Sequence, residues 1–350
     1  MAKKVKVGII GLGFMGTTHL GIYKSNPKAE VVAIADVNPA KRKGDISSVI
    51  GNIGGGDNTK PLDLSEIKTY ADGMALINDP NVEMVDICLP TYLHRKYAVA
   101  ALQAGKHVFC EKPLGRNVKD AEAIIAAAKK SDKFFFLGMC IRYWPEYSFA
   151  RNLYQSGKLG KLRCATFTRL SPSIDGNSWK NWFMEGELSG GALLDLHLHD
   201  ADVVRFFFGR PQSVTSFGAK AVRSDNAVDH VFTNYDFGSS ALVMAEGGWA
   251  ATKGVPFEMS FQIICEKATI VLNSAGFKIY HENGKVESPA PAKAELPTGW
   301  HEEINYFLDS IAKNKAPDKF ITLDEMLDSM KIITAEQQSV DKQKTIKIKY

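Results

Sequence analysis

Apolar and polar positions follow two rhythms along the chain. Up to about residue 140, short apolar runs alternate with amphipathic stretches. The runs predict strands at 5–10, 31–35, 67–70, 84–89, 107–110 and 134–137, with helices between them, among them 92–104 and 118–130. Continuous apolar runs of this length mark strands buried on both faces. Strands alternating with helices imply a parallel, doubly wound sheet, whose ligand belongs at the carboxyl ends of the strands. Near residue 140 the rhythm changes. Arg142-Tyr143-Trp144-Pro145 introduces a helix to about residue 157, and longer strands follow at 161–170, 212–222, 229–237, 240–249, 257–265 and 268–273. Short turns such as Phe237-Gly238-Ser239-Ser240 join many of them and predict an open, mainly antiparallel sheet. A helix at 191–208 interrupts the strands, helices at 299–314 and 322–340 follow, and a last strand covers 345–349. The chain is therefore expected to be α/β, with one domain over 1–141 and an α+β domain over 142–350. The C-terminal helices are allowed to pack back on the first domain.

The first strand runs directly into Gly11, Gly13 and Gly16, a G-x-G-x-x-G pattern that also includes Phe14 and Met15. Gly11 permits a tight turn, Gly13 lets a pyrophosphate approach the backbone, and Gly16 lets the next helix pack on the strand. That helix points free N–H groups and its positive dipole end at the phosphates. The second run ends in Asp36, about 20 residues after the last motif glycine, where a carboxylate meets the ribose hydroxyls of a dinucleotide. The N-terminal domain is therefore expected to be a Rossmann domain. Asp36 favours NAD over NADP by repelling a 2′-phosphate; Lys41-Arg42-Lys43 stands close enough in sequence to offer such a phosphate positive charge, but reads first as a solvated basic start to a helix. The glycines of 51–56 follow no apolar strand and lack a Lys-Ser/Thr ending, so they read as a flexible excursion. Other strand ends fall at Pro90, Thr91 and His94, and at Glu111-Lys112-Pro113, where cofactor contacts are expected, although for His94 a structural role fits as well.

Composition narrows the field. A net charge of +4 over 350 residues, with the basic residues scattered, gives no argument for nucleic acid. No apolar run reaches 18 residues, so no membrane span is expected. Met-Ala-Lys-Lys runs directly into the first strand, so no signal peptide is expected. Cys88, Cys110, Cys140, Cys164 and Cys265 are far apart and mostly sit in apolar runs, as free thiols of a cytoplasmic protein do.

Three segments carry a resemblance: Gly-Leu-Gly-Phe-Met-Gly at 11–16, Ala-Gly-Lys-His-Val-Phe-Cys-Glu-Lys-Pro at 104–113, and Gly-Gly-Ala-Leu-Leu-Asp-Leu-His-Leu-His-Asp-Ala-Asp at 190–202. In order and spacing the chain resembles the glucose–fructose oxidoreductase/inositol dehydrogenase/rhizopine-catabolism (Gfo/Idh/MocA) family over essentially its whole length. The resemblance implies a Rossmann domain followed by a domain on an open, mostly antiparallel sheet. It implies NAD(P)-dependent oxidation of sugars, cyclitols or their derivatives, and a homodimer or homotetramer formed through the exposed sheet face. It implies that Lys112 contacts the reacting hydroxyl, next to a peptide that is often cis, with Glu111 beside the cofactor. In the family's D-x-x-x-H element the histidine, here His199, is the acid/base, and the aspartate, here Asp195, helps hold the substrate hydroxyls.

The residues themselves bear on these roles. Lys112 leaves the end of a sheet strand, on the cofactor side, although a lysine paired with Glu111 at the surface fits the same spacing. Asp195 and His199 lie four residues apart on a predicted helix and so share a face. Imidazole suits acid/base work because its ordinary pKa of roughly 6.5 lies near neutrality. The run from Asp195 through His197 and His199 to Asp202 does not read as a metal site, because residues two apart point roughly 200° around a helix. His197 either lines the pocket or packs below it. Trp179, Trp182 and Phe183 precede this helix in a polar loop and either stack on a sugar or anchor the loop. Arg142 and Tyr143 follow the sixth strand, where the family often places substrate contacts, and Arg142 either binds a carboxylate or phosphate or only caps a helix. Two other functions fit the same motifs: a sugar hydrolase or epimerase-like enzyme that regenerates its NAD, and a dinucleotide sensor without catalysis. The intact Lys112, Asp195 and His199 argue against the sensor.

Overall fold

The apolar runs of the N-terminal region become a six-stranded, wholly parallel sheet. The computed structural model describes residues 4–51, 60–176, 178–290 and 298–350. It places β1 at Val5–Ile10, β2 at Ala29–Ala35, β3 at Lys68–Tyr70, β4 at Met84–Ile87, β5 at His107–Glu111 and β6 at Phe135–Gly138. The order is β3-β2-β1-β4-β5-β6, with every neighbouring pair parallel. The direction of travel across the sheet reverses between β1 and β4, which opens a crevice at their carboxyl ends. Of the glycine-rich stretch 51–56, all but Gly51 lie outside the described residues.

The helices of this unit are α1 (Phe14–Ser25), α2 (Gly73–Ile77), α3 (His94–Gln103) and α4 (Val118–Lys130). α4 shows how local sequence sets an element. Asn117 caps it by accepting from the Asp120 amide at 2.9 Å, and Ala121, Ile124, Ile125 and Ala128 form its buried stripe. The helix expected from residue 92 instead begins as a 3-10 turn, Thr91–Leu93, and α3 has no side-chain cap. The short helix expected after Pro39 is likewise a 3-10 turn, Lys41–Lys43.

A second compact unit takes in 140–175, 183–299 and 328–350. α5 (Pro145–Gln155) starts with proline in its first turn, where a missing N–H costs nothing. β7 (Leu162–Pro172), α6 (Gly186–Ser189), a π-helical turn (Leu193–His197) and α7 (Leu198–Phe208) follow. Next come β8 (Ser213–Lys220), β9 (Val228–Asp236), β10 (Leu242–Ala251), β11 (Glu258–Cys265) and β12 (Ala268–Asn273). β13 (Gly276–His281) and β14 (Val286–Glu287) were not expected from the sequence pattern. The chain then gives α8 (Gly299–Ala312), of which all but the first residue belongs to the first unit, and α9 (Leu323–Lys342), which runs from the first unit into the second. β15 (Ile346–Lys347) completes a nine-stranded sheet of order β14-β13-β12-β11-β7-β10-β9-β8-β15. It is antiparallel except between β7 and β10.

Period-two alternation runs cleanly along this sheet. On β9, Val231, Thr233 and Tyr235 are buried while Phe232, Asn234 and Asp236 are exposed. The inner face packs Phe167 and Phe261 against Phe207 of α7, with ring centroids 5.8 and 6.3 Å away. The outer face leaves Phe217 and Phe232 directly opposite each other at 71% and 45% exposure. In the first unit, Phe307 of α8 stacks on Phe136 of β6 at 5.1 Å. No helix among the described residues is long and apolar enough to cross a membrane.

Candidate active site

The glycine turn has the shape a dinucleotide needs. Gly11 adopts φ 96°, and a Cβ there would lie 2.4 Å from the Cys88 carbonyl oxygen. A Cβ on Gly16 would lie 1.8 Å from the Gly11 carbonyl oxygen, so α1 and β1 touch through these two glycines. A Cβ on Gly13 would meet nothing within 4 Å. Gly13 is the N-cap of α1, which has neither a side-chain cap nor an acidic residue in its first turn. Its leading amides are thus left to an anion. Phe14 and Met15 flank this opening, half-buried.

Asp36, at the end of β2, accepts from the Leu12 amide through Oδ2 at 2.8 Å and from the Asn38 amide through Oδ1 at 2.8 Å. The carboxylate therefore ties the glycine turn to the next strand. Arg42 folds back to donate to the Asp36 and Val37 carbonyl oxygens at 2.7 and 3.1 Å. Together the open Gly13, the bare helix start and Asp36 fit a dinucleotide with a free ribose diol.

At the ends of β4 and β5 the structure revises two expected cofactor contacts. His94 is fully buried, with Nδ1 2.7 Å from the Pro113 carbonyl oxygen and Nε2 2.8 Å from that of Leu89. Burial pushes its pKa down, against the pull of those two carbonyls. Both ring nitrogens face backbone carbonyls, and the one that carries the proton donates to its carbonyl, so His94 sits between the two strand-end loops instead of facing a ligand. Glu111 is also turned inward. Its Oε2 accepts from the Lys112 amide at 3.1 Å, and its Oε1 lies 3.3 Å from His19 Nε2. Lys112 is half-buried and its peptide to Pro113 is cis. Pro90 is half-buried, and Thr91 is buried at the start of its 3-10 turn.

In the second unit, the D-x-x-x-H element spans the π-helical turn and the start of α7. From Gly191 to Val204 every residue is buried except Asp195 and His199. The helix expected over 191–208 is thus interrupted by a π-turn, a feature that concentrates at functional sites. Three buried ionic contacts hold this segment. His197 Nε2 lies 3.0 Å from Glu336 of α9, and the Tyr235 hydroxyl lies 3.3 Å from the same nitrogen. Asp200 accepts from Arg169 Nε and Nη2 at 2.8 and 3.1 Å. Asp202 accepts from Arg142 Nε and Nη2 at 2.8 and 2.7 Å and from the Ser329 hydroxyl at 2.7 Å.

These contacts answer the question left over His197, which packs below the segment. Burial disfavours its imidazolium, but Glu336 outweighs burial and raises its pKa. They also revise the expectation for Arg142, which is fully buried, paired with Asp202, and 4.8 Å over the Phe206 ring. Tyr143 is buried as well. Among the loop aromatics, Trp179 is 45% exposed, while Trp182 is buried with its ring edge-on to Tyr92. Phe183 packs against Trp249 in a separate cluster. Periodicity could not find Glu336 or Arg169, whose partners lie far away in sequence. A charged residue within an apolar strand, such as Asp86 or Arg169, was the available signal.

A doubly wound parallel sheet with an open glycine turn and an acid at the end of its second strand is the architecture of a dinucleotide-binding domain. A family model described as an oxidoreductase family with an NAD-binding Rossmann fold matches residues 5–139, and the GFO/IDH/MocA C-terminal domain matches 147–271. The chain belongs to the Gfo/Idh/MocA oxidoreductase family. Myo-inositol 2-dehydrogenase of Thermotoga maritima is 28% identical over 271 residues, covering 76% of this chain and 74% of the relative. Levoglucosan dehydrogenase of Pseudarthrobacter phenanthrenivorans is 30% identical over 224 residues, 61% of this chain and 54% of the relative. The solved structure of a levoglucosan dehydrogenase in complex with NADH and levoglucosan matches 99% of this chain and 100% of its own, with a TM-score of 0.80 at 23% identity, a likeness of fold.

Proposed function

We propose that the protein oxidises a hydroxyl-bearing carbon of a sugar, cyclitol or sugar derivative, with NAD as the acceptor. The observation that carries this reading is the segment 191–204, buried everywhere except at one carboxylate and one imidazole four residues apart. Two of its relatives are named for polyhydroxylated rings, as a myo-inositol 2-dehydrogenase and a levoglucosan dehydrogenase. Bound NAD supplies a hydride acceptor. The turn at Gly11, Gly13 and Gly16, with Phe14, Met15, Asp36 and Pro90, holds that cofactor. Lys112 hydrogen-bonds the reacting hydroxyl and fixes its direction. His199 takes the hydroxyl proton as general base, a task for which neutral imidazole is suited. Asp195 accepts from neighbouring hydroxyls and keeps the ring in register. Trp179 offers an exposed indole face to the apolar side of a sugar ring.

We place the enzyme in the cytoplasm, where its five free thiols stay reduced. We assign it to a homodimer or homotetramer formed through the outer face of the nine-stranded sheet. A panel of sugars and cyclitols, offered with NAD and with NADP and read by absorbance of the reduced cofactor, tests the substrate class. Net reduced cofactor is expected with NAD. Turnover of a sugar without net reduction would instead mark transient oxidation.

A further inference from the structure

The carboxyl end of the parallel sheet holds a buried cluster whose members take no direct part in the chemistry proposed above. Three carboxyl groups, Asp86 of β4, Glu111 of β5 and Glu303 of α8, gather around one imidazole, His19 of α1, and all four side chains are buried. His19 spans two of them, with Nδ1 2.8 Å from Asp86 Oδ2 and Nε2 3.3 Å from Glu111 Oε1. His19, Glu111 and Glu303 each bring one polar atom to within 4.8 Å of the others. Yet no hydrogen-bond donor among the described residues reaches either Glu303 oxygen. Polar neighbours among the described residues include the Tyr23 hydroxyl of α1, which feels the charges of Asp86 and Glu303, and the Cys88 thiol, 3.5 Å from His19 Nδ1 and 3.4 Å from Asp86 Oδ1.

One imidazole has two ring nitrogens, of which Nδ1 is hydrogen-bonded to Asp86 while Nε2 lies 3.3 Å from Glu111 without hydrogen-bond geometry. A third carboxylate, fully buried and without a donor, cannot persist ionised beside two others. A proton on Glu303 removes the excess charge and turns an orphaned acceptor into a donor, with a Glu111 oxygen within 4.8 Å as the acceptor. Burial, Glu111 and Asp86 all push the Glu303 carboxyl well above its usual range, and His19 acts against them.

We propose that Glu303 holds a proton at neutral pH and donates it to Glu111, and that this carboxyl–carboxylate hydrogen bond makes Glu303 a positioning residue for Lys112. The link is local: Glu111 Oε2 accepts from the Lys112 amide at 3.1 Å. Glu111 is thus the fixed point from which β5 hands the chain on to Lys112. An ionised Glu303 would repel Glu111 and loosen that point. The effect on turnover rests on the role given to Lys112 above, whereas the proton does not.

The test has two independent arms. The first is infrared difference spectroscopy of the wild type against Glu303→Gln at pH 7. A protonated-carboxyl C=O band present in the wild type and missing from the variant is expected. The second is kinetic. Glu303→Gln keeps size, neutrality and an N–H donor, so it should retain turnover and the wild-type pH profile. Glu303→Ala should lose about 10²-fold in kcat, the loss expected when a reacting group is misplaced by roughly 1 Å, with NADH affinity nearly unchanged. Absence of the band, a stoichiometric divalent cation found by elemental analysis, or Glu303→Gln as damaged as Glu303→Ala would overturn the proposal. If Glu303→Ala does not fold, the Glu303→Gln kinetics and the band decide. If no sugar or cyclitol is turned over, the substrate reading fails and the band alone decides the proton.

Discussion

Glu336 lies 3.0 Å from the Nε2 of His197, and neither side chain is exposed. The pair sits under the π-helical turn that carries Asp195 and ends two residues before His199. Glu336 is itself fixed by donors on the sheet, accepting from the Tyr235 hydroxyl at 2.8 Å and the Thr233 hydroxyl at 2.9 Å. Asp200 and Asp202 make the next two anchors along the same segment. The two accessible groups are thus carried by a helix whose buried side is held by ions instead of by apolar packing alone. Such a support costs desolvation but fixes one arrangement.

The pair makes stability depend on pH. His197 has a folded-state pKa above its ordinary 6.5, because Glu336 outweighs the opposing effect of burial. A raised pKa contributes stability that is fully present below the unfolded value and is lost as pH rises through the folded one. His197→Gln should therefore cost about 3 kcal/mol near pH 6, the scale for a broken buried pair. The gap to wild type should narrow as the solution is made alkaline. Urea denaturation of both proteins across that range measures it, and a gap that stays constant or widens would show that His197 is neutral in the fold.

The three motif glycines should separate under substitution. Gly13→Ala adds a methyl where nothing lies within 4 Å, at an unstrained backbone position, so the melting temperature should hold. NAD affinity should nevertheless fall by at least about tenfold, roughly 1.4 kcal/mol, because the added methyl occupies the approach of the pyrophosphate. Gly16→Ala drives a methyl into the Gly11 carbonyl and should destabilise the fold itself. Calorimetry with and without NAD distinguishes the two. Equal loss of stability in both variants would remove Gly13 from the cofactor site.

Much of this was legible in the chain. The first sheet could be read because each strand is one apolar run and each crossover one amphipathic helix. The glycine turn and Asp36 could be read because their spacing follows from the size of a dinucleotide. The exposure of Asp195 and His199 followed from helical period, which the π-turn at Leu193–His197 bends without moving His197 onto the open face. What the sequence concealed were partners far apart in the chain. Arg142 and His94 look like ligand contacts by position, but their partners, Asp202 and the carbonyls of Leu89 and Pro113, come together only in the fold. β14 was missed because it is two residues long at the sheet edge.

Cofactor choice should rest on Asp36. Its carboxylate is held by the Leu12 and Asn38 amides, so it stays in place to meet a ribose diol and to repel a 2′-phosphate. The wild type should bind NAD at least about tenfold more tightly than NADP. Asp36→Ala should narrow that ratio, chiefly by weakening NAD. Arg42→Ala should change it little, because that guanidinium is folded onto backbone carbonyls. Titration of both cofactors by quenching of tryptophan fluorescence measures all three proteins. Tighter NADP binding by the wild type would refute the assignment.

The outer face of the nine-stranded sheet should mediate self-association. Phe217 and Phe232 form a cross-strand pair at 71% and 45% exposure, and Met244 on β10 is 43% exposed. Grouped aromatics of this kind are rare on the surface of a monomer. Phe217→Glu should weaken association by at least about tenfold, the loss typical of a buried interface anchor, without lowering the unfolding midpoint of the protomer. Sedimentation velocity at micromolar concentration is the measurement. A wild type that sediments as a monomer would dismiss the interface.

The sharpest separation lies among three side chains in two motifs. Lys112→Ala and His199→Ala should each lower kcat by roughly 10²–10⁴, the range for a lost acid/base or hydroxyl-orienting group, while NAD affinity stays close to wild type. His197→Ala should behave differently. It removes a side chain that faces Glu336 and Tyr235 and leaves a buried carboxylate without its cation. Its main cost should be stability, with a smaller loss of turnover among the molecules that remain folded at low temperature. Conversely, His199→Ala empties an accessible position and should leave the unfolding midpoint almost unchanged. Measuring turnover, NAD affinity and urea midpoint for the three variants gives each a distinct signature. If His197→Ala is stable but inactive while His199→Ala turns over normally, the acid/base role moves to His197, and Glu336 becomes the carboxylate that orients it.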